Sequence, residues 1–147
     1  MEWVIENESD LAKVVDFVCA NVLTKPSNGA RVIGLYGNLG AGKTTFTKKL
    51  VAVLGGGDSV VSPTFILERD YVLSNALGID TLAHIDAYRF LEAKEGEVLK
   101  IQTRLSDQKL LYVIEWPENL GEYMPEHTKI FFEHTGGDTR KITIETL

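Results

Sequence analysis

Apolar residues recur at Leu11, Val14, Val15, Val18 and Val22, the i, i+3, i+4, i+7, i+11 stripe of an amphipathic helix. Ser9 and Asp10 are suited to cap that helix near Leu11, and Pro26-Ser27-Asn28-Gly29 turns the chain after it. The pattern then changes. Arg31 to Tyr36 is apolar without alternation, as expected of a strand covered on both faces. Phe46 to Leu54 returns to helical spacing and stops at Gly55-Gly56-Gly57. Val60 to Val72 contains Pro63, which predicts a loop over Ser62 to Thr64 and a strand from Ile66 to Val72. Asn75 to Asp80 reads as a turn and Leu82 to Asp86 as a strand. Glu92 to Leu105 has helical spacing through Val98, Ile101 and Leu105. Leu110 to Ile114 is a second buried strand, closed by Glu115. Lys129 to Glu133 and Lys141 to Glu145 read as strands of a hairpin around Thr135-Gly136-Gly137-Asp138.

The stretch between the first buried strand and the following helix organises the rest. Gly37-Asn38-Leu39-Gly40-Ala41-Gly42-Lys43-Thr44-Thr45 fits the phosphate-loop spacing G-x-x-x-x-G-K-[ST]. Glycines let the backbone curl around an anion with its N–H groups inward, and a new helix adds its free N–H groups and positive dipole end. Lys43 then reaches the β- and γ-phosphates, and the Thr44 hydroxyl sits on Mg²⁺. Strand, loop and helix imply a βαβ unit. The expected fold is one three-layer α/β domain over residues 1–147, of the P-loop NTPase type, with a mainly parallel sheet.

Ligands of such sheets bind beyond the carboxyl ends of the strands, where Gly37, Asp86 and Glu115 all fall. Glu115 ends an apolar strand in the Walker-B manner, and Asp86 is the other candidate acid. Spacing leaves open which of them holds the metal and which orients water. Thr64, in the proline-broken loop, can ligate Mg²⁺ only with the γ-phosphate present, which makes a switch. His84 alternates with Asp86 but reads as a packed strand histidine, since no second histidine has ligand spacing. Arg89 is a phosphate contact or a solvated arginine, and Trp116 is core or a partner anchor.

Composition narrows the setting. The chain has 147 residues, 44% hydrophobic and 24% charged, which is ordinary for a globular domain. No apolar run approaches the length of a membrane helix, and the acidic N-terminus lacks a secretory n-region, so a cytoplasmic location is expected. Cys19 stands alone and packs as a small hydrophobe. A net charge of −6 argues against a stand-alone nucleic-acid binder. Without an N-K-x-D or D-x-x-G stretch, ATP is favoured over GTP. Three functions remain open: an ATPase subunit, a small-molecule kinase, or a nucleotide-binding regulatory module without turnover. Scattered arginines weigh against a kinase lid.

Taken in order, the loop Gly37 to Thr45, Ser62-Pro63-Thr64-Phe65, His84-Ile85-Asp86-Ala87-Tyr88-Arg89 and Ile114-Glu115-Trp116-Pro117-Glu118 resemble the TsaE (YjeE) family of bacterial ATPases over nearly the whole chain. The segments Tyr71 to Leu82 and Glu92 to Leu105 depart from the family's usual form. The resemblance implies a role in making threonylcarbamoyladenosine beside the anticodon of tRNAs, with partners TsaD and TsaB. The ATPase drives that assembly and meets tRNA only through its partners. By the same resemblance, Thr44 and Glu115 are the magnesium contacts, Asp86 a second catalytic carboxylate and Thr64 the switch. Asp138-Thr139-Arg140 contacts the adenosine end.

Overall fold

The computed structural model describes residues 1–38, 40–57, 68–88 and 100–147. The first helix, α1 (Glu8–Asn21), buries Leu11, Val14, Val15 and Val18 on one face, as its stripe requires. Its cap is Asn7, upstream of the expected Ser9 and Asp10. The Asn7 side chain accepts from Asp10 N at 3.0 Å. Asp10 in turn accepts from Glu6 N at 3.0 Å, so the predicted cap residue ties the residue before the cap to the first turn of the helix.

A seven-stranded sheet runs in the order β1 (Glu2–Ile5), β7 (Thr139–Glu145), β6 (Thr128–Gly136), β2 (Arg31–Tyr36), β5 (Leu110–Glu115), β4 (Thr81–Asp86) and β3 (Glu68–Val72). The pairs β6–β2, β2–β5 and β5–β4 are parallel. The outer pairs β1–β7, β7–β6 and β4–β3 are antiparallel. The sheet is therefore mixed, not mainly parallel as expected. The physical reason lies in the connections: residues 73–80 between β3 and β4, and the turn between β6 and β7, are too short for the crossover that a parallel pair needs. Strand β1 escaped the pattern because, of its four residues, Ile5 alone is buried.

Every residue of β5 is buried, in keeping with its place between β2 and β4. Its side chains alternate between two cores. Leu111 and Val113 join Ile33, Leu35 and Leu82 under α1 and α2 (Lys43–Val53). Leu110, Tyr112 and Ile114 join Val32, Ala83 and Ile85 on the opposite face, under Ile101 and Leu120. Ile101 belongs to helical residues 100–104, the part of the predicted 92–105 helix that lies among the described residues. Lys100 and Arg104 hold that helix to β3 through Glu68, at 2.6 and 3.3 Å. The distribution of the cores matters for the site. Glu115 lies two residues after Val113, and Asp86 two and four after His84 and Leu82, so all three polar residues point to the α2 face.

Candidate functional site: a cleft at the carboxyl ends of the parallel strands

The glycine loop begins where β2 ends. Gly37 has φ 143°, and a Cβ there would lie 2.6 Å from the Phe132 carbonyl of β6, so only glycine fits between the strands. Gly42 occupies the N-cap of α2 at φ 103° and offers no side-chain cap. The first N–H groups of α2 are thus left without a capping side chain, the condition under which a helix start receives an anion.

Lys43 is buried at the first turn of α2, with Nζ 2.6 Å from the Gly37 carbonyl and 4.0 Å from the centroid of the Trp116 ring. Burial lowers the pKa of its ammonium, opposed by the charges of Glu115, Glu118 and Asp86. Thr44 is half-buried and Thr45 exposed beside it. The parallel register of β4 and β5 sets Asp86 directly opposite Glu115, and β2 sets Leu35 on the other side of Glu115. Burial raises the pKa of Asp86, offset in part by the Tyr88 N–H that it accepts at 2.8 Å; the neighbouring Glu115 adds to the rise. Glu115 is itself buried, and its Oε2 lies 2.6 Å from His84 Nε2.

Lys43, Thr44, Thr45, Asp86 and Glu115 line one cleft of about 540 Å³. From the loop it takes Gly40 to Thr45, from the strand ends Asp86, Tyr88, Glu115 and Trp116. The β6–β7 hairpin closes a side with Phe132, Asp138 and Arg140. Arg140 Nη2 donates to the Gly40 carbonyl at 3.2 Å, and His134 Nε2 reaches the same oxygen at 3.2 Å. Thr139, between Asp138 and Arg140, accepts from Thr135 Oγ1 through its own carbonyl at 3.3 Å. The far wall comes from the start of the chain: Ile5, Glu6, Asn7, Glu8 and Leu11.

The structure thus brings together Lys43, Thr44, Asp86, Glu115 and Arg140 around the loop. Leu39, Thr64 with the rest of residues 62–65, and Arg89 lie outside the described residues. Sequence reasoning missed the wall formed by residues 5–8. Nothing in their composition marks them, because they reach the cleft only through the pairing of β1 with β7. It also missed the contact of His84 with Glu115. Their separation is |i−j| = 31, and only the β4–β5 register makes them neighbours. Trp116 adopts φ 58°, ψ 46°, an uncommon conformation for a large side chain. That turn carries the chain from β5 into the 3-10 stretch Pro117–Tyr123, and it leaves the indole over Lys43.

A glycine loop entering a helix from a central parallel strand, with two carboxylates at neighbouring strand ends, defines an α/β protein with a cleft at the carboxyl ends of its parallel strands. Residues 6–142 match the model of the family described as threonylcarbamoyl adenosine biosynthesis protein TsaE. The chain belongs to the TsaE family. It is 33% identical over 144 residues to the tRNA threonylcarbamoyladenosine biosynthesis protein TsaE of Bacillus subtilis, covering 97% of this chain and 84% of that one. The protein of the same name from Streptomyces coelicolor is 36% identical over 132 residues, covering 85% and 86%. Among solved structures, YdiB of Bacillus subtilis superposes with a TM-score of 0.70 at 26% identity, covering 99% of this chain and 84% of that one.

Proposed function

We propose that this protein is a Mg²⁺-dependent ATPase of the P-loop NTPase type that drives threonylcarbamoyladenosine modification of tRNA together with TsaD-like and TsaB-like partners. The observation that carries the reading is the convergence of Lys43, Asp86 and Glu115 on the uncapped start of α2. Membership in a family named for threonylcarbamoyladenosine biosynthesis supplies the pathway.

In this reading the N–H groups of Gly40 to Thr44 and the α2 dipole hold the phosphates, with Gly37 and Asn38 shaping the turn and Thr45 at its rim. Lys43 leaves the Gly37 carbonyl to pair with the β- and γ-phosphates. The Thr44 hydroxyl and Glu115 would hold the cation, and Mg²⁺ would supply charge neutralisation for the phosphates. Asp86, a half-buried carboxylate with a raised pKa, is poised to accept a proton from the attacking water or to orient it. Phe132, Ile5, Leu11 and Ile142 give the cleft an apolar lining that would receive the base, with Thr139 and Arg140 assigned to the adenosine end. Thr64 senses the γ-phosphate and reports it to the partners.

Among the described residues no helix is long and apolar enough to cross a membrane, and the proposed location is cytoplasmic. The acidic net charge of −6 fits a subunit that meets tRNA only through its partners. The test follows ATP, ADP and modified tRNA with this protein alone and then with the partners. Slow hydrolysis alone and faster hydrolysis with modification in the assembly is the expected outcome. A phosphorylated small-molecule acceptor, or binding without turnover in the full assembly, would overturn it.

A further inference from the structure

His84 lies on β4 opposite Val113, two residues before Asp86, and is fully buried. Its Nε2 is 2.6 Å from Glu115 Oε2, while its Nδ1 has no hydrogen-bond partner among the described residues. The Cα partner of Glu115 is Asp86, so the Glu115 side chain meets His84 diagonally across the ladder. A buried ring with half its polar capacity unused is a poor choice for filling space. Leucine or phenylalanine would pack there without an orphaned nitrogen. The arrangement makes sense when the histidine serves the carboxylate that its Nε2 meets. With the proton on Nε2, the orphan is a bare acceptor at Nδ1, the less costly of the two possibilities.

We infer that His84 is a positioning residue for Glu115: its Nε2–H donates to Oε2, fixes the plane of the carboxylate, and so sets where Oε1 meets the nucleotide-bound cation. The inference rests on the proposed cation role of Glu115. It assigns to His84 the task that groups behind metal ligands commonly perform, restricting a ligand to one orientation before the ion arrives. The histidine touches neither phosphate nor cation in this scheme.

The experiment compares ATP affinity by calorimetry with Mg²⁺ and with EDTA, in the wild-type protein, His84→Gln and His84→Leu. A glutamine amide can place a donor near the position of Nε2, whereas leucine fills the site without one. The gain in affinity on adding Mg²⁺ should survive in His84→Gln and fall about 10–100-fold in His84→Leu, with affinity in EDTA unchanged in both. A packing role predicts the reverse order, because leucine suits an apolar site better than glutamine. Should His84→Leu fail to unfold cooperatively, His84→Asn replaces it. Its amide is polar but too short to reach Glu115, and it too should lose the gain. Equal Mg²⁺ gains in wild type, the glutamine variant and the leucine or asparagine variant would overturn the inference while leaving the cation site standing. A wild-type protein with no Mg²⁺ gain would overturn the cation reading of Glu115 beneath it.

Discussion

The ammonium of Lys43 lies 4.0 Å from the centroid of the Trp116 ring, held there by the Gly37 carbonyl. The lysine proposed to meet phosphate is thus already paired, with a dipole below and an aromatic face above. On the proposed function, a nucleotide would have to draw it away from both. Trp116 and Trp3 are the tryptophans of the chain, so a Trp3→Phe background isolates the indole over Lys43. ATP should change its fluorescence as the cation leaves the ring. A titration without any spectral change would show that Lys43 stays where it is.

Lys43→Ala should weaken nucleotide binding. Charge-assisted contacts contribute about 1.5–3 kcal/mol, or roughly one to two decades in affinity. Calorimetry with Mg-ATP measures it directly, and unchanged affinity would remove Lys43 from the phosphate site.

Asp86 offers a prediction with a sign. Its pKa is raised from 3.8, chiefly by burial, so folding favours the protonated form. Above both the folded and unfolded values, the ionised carboxylate costs the nucleotide-free protein stability; the cost fades as pH falls through the folded value towards 3.8. Asp86→Asn should therefore raise the melting temperature at neutral pH and lose that advantage in acid, while turnover in the assembly falls by roughly 100-fold or more. Melting curves across pH give the first part. A variant no more stable than wild type at neutral pH would contradict it.

Glu115→Ala should spare most nucleotide affinity in EDTA, because the loop supplies the phosphate contacts, yet abolish turnover in the full assembly. Hydrolysis at the wild-type rate would exclude Glu115 from catalysis.

Arg140 braces the loop at the Gly40 carbonyl from the β6–β7 hairpin. Arg140→Ala should lower ATP affinity by about one decade, the worth of one charge-assisted hydrogen bond, with little change in melting temperature since the side chain is half-exposed. Unaltered affinity would limit the hairpin to a structural role.

The sequence by itself determined the elements whose signals are local. The loop Gly37 to Thr45 is legible because its glycines and Lys43 recur at a fixed spacing within one short stretch between a strand and a helix. The stripe of α1 and the apolar run of β5 follow from the 3.6 and 2 residue periods. The carboxyl-end positions of Asp86 and Glu115 follow from the same runs. Tertiary structure alone decided their neighbours. A strand's pattern says which residues share a face, but not which strand lies beside it or in what direction, since those depend on pairings distant in sequence. The β4–β5 register set Asp86 opposite Glu115 and brought His84 to its carboxylate. The antiparallel pairing of β1 with β7 put residues 5–8 in the cleft wall, although β1 has one buried side chain and no pattern of its own. The turn at Trp116, in a conformation that no propensity favours for so large a side chain, laid the indole over Lys43.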